Sequence, residues 1–198
     1  MPGETDSAVV PAALDAATVD AATVEDEELV REARRGSVHA FEVLVGRHQD
    51  RVFRLAFRLT ADRAAAQDIA QEALVAAWRG LPAFRGDASF PTWLYRITQN
   101  AARNHVTRQR VHTQTTGEEP AAAEQQPERL TENKGRTAAL HAAIAALPFD
   151  QRAALVLYQF EGLSYEQCAE VLGVSMSTVR GRIARARHGL LTTMEPWR

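Results

Sequence analysis

Apolar residues recur along most of this chain at the three- and four-residue spacing of an amphipathic helix. Gly and Pro are sparse, and no run of β-branched residues alternates as a strand would. The pattern therefore predicts an all-α protein. The predicted helices cover about 25–35, 38–59, 63–80 and 91–111 in the first half, and about 136–146, 149–161, 165–172 and 176–192 in the second.

Two segments lack this periodicity and divide the chain into domains. Residues 1–24 are mostly Ala, Val, Thr and Asp, which predicts a disordered acidic tail. Residues 113–135 are rich in Thr, Glu, Gln, Ala and Pro and hold too few large apolar residues to pack, which predicts a flexible linker. Two small helical domains are therefore predicted, at 25–112 and 136–198.

The net charge of -2 conceals opposite charges in different segments. Residues 1–30 hold eight acids and no base, whereas 31–112 hold fourteen Arg against seven acids. Residues 136–198 are also weakly basic. Basic modules therefore alternate with acidic segments, and we hypothesise that the acidic segments 1–30 and 113–135 screen the basic modules in the free protein and so lower stray DNA binding.

Several classes of protein are disfavoured by the composition. The single Cys168 excludes an internal disulfide and a multi-cysteine zinc site, and the six His never fall at metal-ligand spacing, so no metal or cofactor is predicted. No signal peptide or membrane-spanning apolar stretch is present, which predicts a soluble cytoplasmic protein. No phosphate-binding Gly-Lys loop occurs, and an enzyme is the least favoured interpretation.

The segment 163–175 has the turn chemistry of a helix-turn-helix. Ser164 with Gln167 forms a capping box that satisfies amides at a helix start. Gly173 stands where that helix must end, because the residue after a helix often adopts the left-handed conformation. Ser175 can then cap the next helix.

The second helix of this motif has two distinct faces. Val179, Ile183, Ala186 and Leu190 form a core stripe. Small residues among arginines on the other face suit entry into a DNA major groove, although a solvated face that binds nothing is the alternative. The residues predicted to face the groove are Ser177, Thr178, Arg180, Gly181, Ala184, Arg185 and His188.

Three neighbouring side chains carry separate predictions. Arg182 and Arg187 border the core stripe, so we expect them to extend along it or to touch phosphate rather than read bases. Cys168 lies inside the first helix of the motif, where a buried small hydrophobe is favoured over a redox sensor.

Helix 63–80 carries a polar stripe with an aliphatic residue and a neighbouring tryptophan. This composition is typical of a protein-protein contact with an aromatic anchor. The alternative is a solvated face whose tryptophan packs into the core. The stripe consists of Asp68, Gln71, Glu72 and Val75, and it is bordered by Trp78.

An aromatic, basic loop at 84–90 leads into a helix with a polar stripe. Aromatic and basic side chains together suit unpaired nucleic acid, because bases stack while arginines follow the backbone. The alternative, that the aromatics close the core, is expected for two or three of the four. The aromatics are Phe84, Phe90, Trp93 and Tyr95, and the stripe is Arg96, Asn100, Arg103 and Thr107.

Four blocks together resemble the extracytoplasmic-function (ECF) sigma factors of the sigma-70 class. They are DIAQE at 68–72 with Trp78, FRGD at 84–87 leading to TWLYRI at 92–97, LPFDQR at 147–152, and GLSY at 162–165 leading to TVRGRIARAR at 178–187. They stand in this order across the predicted linker. The resemblance spans about 25–192.

The resemblance implies a sigma factor that binds core RNA polymerase, directs it to promoters and promotes strand opening. Residues 25–112 would be the region 2 domain on the β′ clamp helices, and 136–198 the region 4 domain, which also meets the β flap. An anti-sigma factor is a partner that the resemblance leaves open. The implied clamp contacts are Asp68, Gln71, Glu72, Val75 and Trp78.

The resemblance also implies contacts with double-stranded and unpaired promoter DNA. The loop 84–90 would hold a base flipped from the non-template strand of the minus-ten element. The groove-facing residues of 177–188 would meet the minus-thirty-five element. The implied minus-ten contacts are Phe84, Arg85, Gly86, Asp87, Ser89, Phe90, Trp93, Arg96, Asn100, Arg103 and Asn104.

Two other functions remain as alternatives. A stand-alone helix-turn-helix regulator would bind DNA tightly without polymerase, through a dimer for which no heptad pattern is visible. A helical interaction protein with no nucleic-acid role would be unaffected by charge reversal at Arg180 and Arg185.

Overall fold

The computed structural model describes residues 16–116 and 132–194, and within these ranges it contains eight α-helices and no strand. This confirms the predicted all-α class. The helices are α1 (Ala16–Arg34), α2 (Val38–Thr60), α3 (Arg63–Gly80), α4 (Phe90–Thr116), α5 (Glu132–Ala146), α6 (Phe149–Gln159), α7 (Tyr165–Leu172) and α8 (Met176–Thr193), with a short 3-10 turn (Leu81–Ala83) after α3.

Most helix boundaries agree with the sequence pattern to within a few residues, and the differences lie beside the two aperiodic segments. Helix α1 begins at Ala16, inside the predicted tail, of which residues 1–15 lie outside the described residues. Helix α4 continues to Thr116 and α5 begins at Glu132, so both helices extend into the predicted linker. The remaining linker, 117–131, also lies outside the described residues.

Local capping explains the break between α2 and α3. Ala61 adopts a left-handed conformation (φ 58°) and its N–H donates to the Phe57 carbonyl at 2.7 Å. Asp62 follows in an extended conformation, and its carboxylate accepts a hydrogen bond from the Ala65 N–H at 3.1 Å. An aspartate at this position satisfies an amide that a helix start leaves unpaired. The chain therefore reverses within two residues and packs α3 along α2.

The first four helices form a bundle around their own apolar residues. Leu44 and Val52 of α2 are buried with Ala73 of α3 and Leu94 of α4. Helix α1 adds Val30 to the same cluster. Small alanines on α3 allow the helices to approach closely, and the bundle leaves the polar face of α3 and the end of α4 at the surface.

The two halves of the molecule are packed against each other and share one hydrophobic cluster. Leu59 of α2 and Tyr95 of α4 belong to this cluster together with Phe149 and Leu157 of α6. The sequence predicted two separable modules, whereas the structure has no boundary between their cores at this point. Burial of apolar surface is the main stabilising contribution across the contact.

Polar contacts accompany the shared cluster. Arg58 of α2 forms an ion pair with Glu161 at 3.0 Å, and its guanidinium also lies 4.8 Å from the centre of the Phe160 ring. Arg152 of α6 donates to the Leu59 carbonyl at 2.6 Å. Burial raises the pKa of the Tyr95 hydroxyl, and the adjacent Glu161 carboxylate raises it further. Glu161 therefore contacts both α2 and α4 from the other half.

None of the helices in the described ranges combines the length and the apolar character that crossing a membrane requires.

Candidate polymerase and nucleic-acid interfaces

The predicted polar stripe lies on the exposed face of α3. Asp68, Gln71, Glu72 and Val75 line one shallow surface depression, together with Arg79 at its end. Val75 is 43% exposed, a large fraction for an aliphatic side chain. The structure therefore brings four of the five predicted residues to one surface that has an apolar centre and a charged rim.

Trp78 lies at the edge of this stripe and satisfies neither earlier interpretation fully. Trp78 as a residue is 37% exposed, while its ring packs on Phe41 of α2 with ring centres 4.9 Å apart. A tryptophan that is held on one side and exposed on the other loses little conformational freedom on binding, which suits an anchor residue.

The aromatic residues of the loop mostly lie beneath its surface. Phe84, Phe90 and Tyr95 are buried and Trp93 is partly buried, which confirms that most of the four close the core. Phe84 lies 4.8 Å from Trp93 and 6.4 Å from Phe90, between ring centres. These rings support the loop from below. A direct contact of Phe84 or Phe90 with DNA stays a prediction.

The exposed part of the loop is charged and tightly turned. Gly86 has φ 80°, a left-handed conformation that glycine adopts without strain. It separates Arg85 from Asp87, which form an exposed ion pair at 3.2 Å. Exposed pairs of this kind contribute little stability, so both side chains can exchange this contact for a ligand. Ser89 accepts a hydrogen bond from the Thr92 N–H at 3.3 Å and thereby caps α4.

The predicted stripe of α4 is only partly free. Arg96, Asn100 and Thr107 of the stripe are exposed, as a nucleic-acid contact requires, and so is the neighbouring Asn104. Arg103 instead forms an ion pair with Asp150 of the other half at 2.6 Å, and its guanidinium lies 5.3 Å from the centre of the Phe149 ring. In this arrangement the packing of the two halves engages one of the predicted minus-ten residues, whose side chain keeps 39% exposure.

The helix-turn-helix has the predicted geometry. The Gln167 N–H donates to Ser164 Oγ at 3.2 Å, and the Ser164 N–H donates to Gln167 Oε1 at 2.8 Å, which completes the capping box. Gly173 ends α7 with φ 64°. Ser175 caps α8 by accepting from the Thr178 N–H at 3.3 Å. Together these contacts fix the angle between α7 and α8.

Helix α8 presents its predicted face to solvent. Val179, Ile183 and Ala186 are buried, which confirms most of the core stripe, and Leu190 packs against it from a partly buried position. On the opposite face the side chains are exposed, apart from the half-buried Thr178 and Gly181. The exposed members are Ser177, Arg180, Ala184, Arg185 and His188.

A set of stacked aromatic and basic side chains beside α8 was not predicted from the sequence. The Tyr158 and Tyr165 rings are stacked with centres 4.7 Å apart. Arg180 lies 5.2 Å from the centre of Tyr165, and Arg187 lies 5.7 Å from the centre of Tyr158. The stacking restricts Arg180 before any ligand arrives. A signal was available, because Tyr165 opens α7 where helix-turn-helix proteins approach the DNA backbone.

Two arginines and the cysteine have structural partners. Arg182 pairs with Asp150 at 3.0 Å, and Arg187 donates to Gln159 at 3.4 Å, so both contact the protein itself. Cys168 is fully buried, and burial raises the pKa of its thiol to about 12. This confirms the prediction that Cys168 is a buried, small hydrophobic residue. No group of three His, Cys, Asp or Glu suitable for a metal occurs within 16–116 and 132–194.

Two family models match this chain, and they correspond to the two halves. Sigma-70 region 2 matches residues 44–111, which include α3 and most of α4. Sigma-70 region 4 matches residues 137–188, which include the helix-turn-helix.

Curated relatives and solved structures extend this similarity to most of the chain. The RNA polymerase sigma-H factor of Pseudomonas aeruginosa is 40% identical over 87% of this chain and 95% of its own length. The ECF RNA polymerase sigma-E factor of Escherichia coli is 34% identical over 86% of this chain and 95% of its own length. The structure of CnrH in complex with the cytosolic domain of CnrY is similar with a TM-score of 0.67 and 27% identity, over 87% of this chain and 98% of that one.

Proposed function

This chain belongs to the ECF subfamily of RNA polymerase sigma factors, and from that membership we propose how its two halves divide the work of transcription initiation. Sigma factors are non-enzymatic, DNA-binding initiation factors, so the prediction that the chain is not an enzyme is confirmed. The first half docks on the β′ clamp helices of the core polymerase and captures an unpaired base of the minus-ten element. The second half reads the minus-thirty-five duplex.

The single observation that carries this proposal is the exposed face of α8 behind a fully capped turn. Arg180 and Arg185 project from a helix whose opposite side is buried, so the two guanidinium groups can reach base edges or phosphates without moving the helix. Gly181 and Ala184 between them keep the surface low enough for close approach to the groove.

The α3 stripe supports the proposed polymerase contact. Trp78 supplies a partly held aromatic anchor, Val75 supplies apolar surface, and Glu72 supplies charge at the rim. The β flap is the proposed contact of the second half, and the cytoplasm, where the polymerase acts, is the proposed location. We also propose an anti-sigma factor as a partner, because the structurally similar CnrH was solved in complex with a second protein, the cytosolic domain of CnrY.

The test is binding of the full-length protein to bacterial core RNA polymerase. We expect submicromolar affinity that the Gln71→Ala,Trp78→Ala double variant weakens by more than tenfold, because the aromatic anchor is lost. Phe57→Ala is the matched control, since Phe57 is 40% exposed on α2 and stacks on Phe53 in a similar way. No binding to a competent core, together with tight binding to duplex DNA, would instead support the stand-alone regulator.

A further inference from the structure

A groove of about 450 Å³ runs between α1 and the loop that precedes α4. The loop residues 84–89 and the first two residues of α4 form one wall, as the predicted base-capturing site requires. The other wall is α1, to which the sequence pattern assigned no role. This wall contributes Val30, two basic side chains, Arg31 and Arg34, and two carboxylates, Asp26 and Glu27.

The α1 wall is held in place by a buried polar cluster. Asp26 Oδ2 lies 2.7 Å from His48 Nε2 of α2, and both side chains are more than nine-tenths buried. Arg47 donates to Asp26 Oδ1 at 3.0 Å. The His48 ring in turn lies 5.4 Å from the Phe90 ring at the start of α4. One cluster therefore fixes α1, α2 and the end of the loop relative to each other.

Burial of a charged group is unfavourable unless it is well paired, so a buried carboxylate defines the position of its partners. Burial alone raises the pKa of Asp26, but its hydrogen bond to His48 and the charges of His48 and Arg47 lower it below the usual value. The carboxylate is thus stabilised in its charged form. Because the cluster satisfies this charge, the α1 wall has one preferred position against the loop.

The chemistry of the groove fits a single-stranded nucleotide. On the loop side, Phe84 and Phe90 line the groove although both are largely buried, so they form an apolar floor against which a base can lie. Arg31 and Arg34 are exposed on the opposite wall, and within the described residues no ion pair engages either guanidinium. Guanidinium groups bind phosphate oxygens through paired, charge-assisted hydrogen bonds. A base on one side and its phosphates on the other would span the groove.

We propose that α1 is the second wall of the site for the unpaired non-template strand, with Arg31 and Arg34 binding its phosphates and the Asp26–His48 pair positioning them. This inference rests on the proposed function, because it assumes a sigma factor that captures an unpaired strand. It adds phosphate contacts from a helix outside the loop and the α4 stripe.

The test uses the full-length protein bound to core polymerase and a labelled bubble duplex whose unpaired segment has randomised sequence. The Arg31→Gln,Arg34→Gln variant is expected to bind this probe more weakly. For this variant, the slope of log affinity against log salt concentration is expected to become less steep by about 1.4. This corresponds to about 0.7 for each single-strand phosphate contact that is lost. Arg35→Gln,Arg54→Gln is the matched control, because both arginines are exposed outside the groove. It is expected to retain the wild-type slope.

The positioning role has its own readout in the same assay. Asp26→Asn is expected to leave core binding unchanged and to flatten the salt dependence in the same direction as loss of the arginines. A lowered melting temperature with an unchanged slope would overturn the positioning role.

The outcomes separate this inference from the proposed function. A wild-type protein that fails to bind core polymerase overturns the proposed function itself. A wild-type complex that binds the bubble, with an unchanged slope for Arg31→Gln,Arg34→Gln, overturns the inference alone.

Discussion

The two helices proposed to contact DNA, α4 in the first half and α8 in the second, differ in how free their basic side chains are. On α8, Arg180 and Arg185 project into solvent. On α4, Arg103 is paired with Asp150 of the other half and packs on Phe149. The comparison teaches that packing of the halves leaves the proposed minus-thirty-five face of α8 free and engages one residue of the proposed minus-ten face of α4. Separation of the halves would therefore affect α4 more than α8.

The largest expected effect comes from breaking the contact between the halves. Glu161→Arg places a second cation beside Arg58. The Glu161 side chain is only 6% exposed and that of Arg58 is 31% exposed, so water screens the repulsion poorly. We expect a loss of about 3 kcal/mol of unfolding free energy, the low end for a broken buried pair. We also expect a larger radius of gyration. Urea unfolding and small-angle X-ray scattering would measure these two quantities.

The charge-swapped protein is the control for this variant. Arg58→Glu combined with Glu161→Arg restores opposite charges and should recover most of the lost stability. An unchanged radius of gyration in Glu161→Arg would show that the apolar cluster alone holds the halves together.

A smaller loss is expected from the buried support of α1. Asp26→Asn should cost about 1.5–3 kcal/mol near neutral pH, the range for hydrogen bonds to charged groups. Because the pKa of Asp26 lies below its ordinary 3.8, this stabilisation is complete above pH 3.8 and is lost as pH falls through the folded value. The difference between Asp26→Asn and wild type should shrink accordingly in acid.

Glu25→Gln is the matched control for this prediction. Glu25 binds the same Arg47 at 2.9 Å but is exposed, so its loss should change the unfolding free energy by less than about 1 kcal/mol. Equal losses for the two variants, measured by urea unfolding, would show that burial of Asp26 is unimportant.

The third prediction compares two arginines within α8. Arg185→Ala should cost about 1–3 kcal/mol at a preferred upstream sequence if the side chain reads a base pair. Arg182→Ala should mainly weaken the contact with Asp150 and leave sequence preference unchanged. Fluorescence anisotropy with a panel of upstream duplexes would measure both. A loss for Arg185→Ala that is equal across all duplexes would identify a phosphate contact instead.

The smallest expected effect is on the reactivity of Cys168, which lies in the core behind the exposed face of α8. With the pKa of its thiol raised to about 12 by burial, Cys168 should not react with a maleimide in the native protein near neutral pH. Complete labelling is expected in urea. Rapid labelling of the native protein would indicate that the helix-turn-helix core opens readily.

The helix-turn-helix was predictable from the sequence almost residue by residue. Ser164, Gln167, Gly173 and Ser175 act on amides or carbonyls within one helical turn, so their neighbours in the chain are sufficient to assign their roles. The α3 stripe was likewise visible from spacing alone. The position of Trp78 was not, because it depends on Phe41 of another helix.

The α4 side of the molecule was less predictable. The aromatics of the loop have the same composition whether they contact DNA or close the core, and only packing distinguishes the two. Periodicity in the sequence does not predict that His48 binds Asp26 of α1 or that Arg103 pairs with Asp150.

By itself, then, the sequence determined most of the helices, the caps of the helix-turn-helix and the exposed face of α8, because these depend on periodicity and on hydrogen bonds between near neighbours. The family followed from the resemblance of four short sequence blocks to known sigma factors. The tertiary structure alone decided the packing of the halves and the second wall of the groove. Arg58 and Glu161 are 103 residues apart in the chain, and Asp26 and His48 are 22 apart. Contacts at such separations arise only when the hydrophobic faces of several helices are buried together, and their partners are set by that packing.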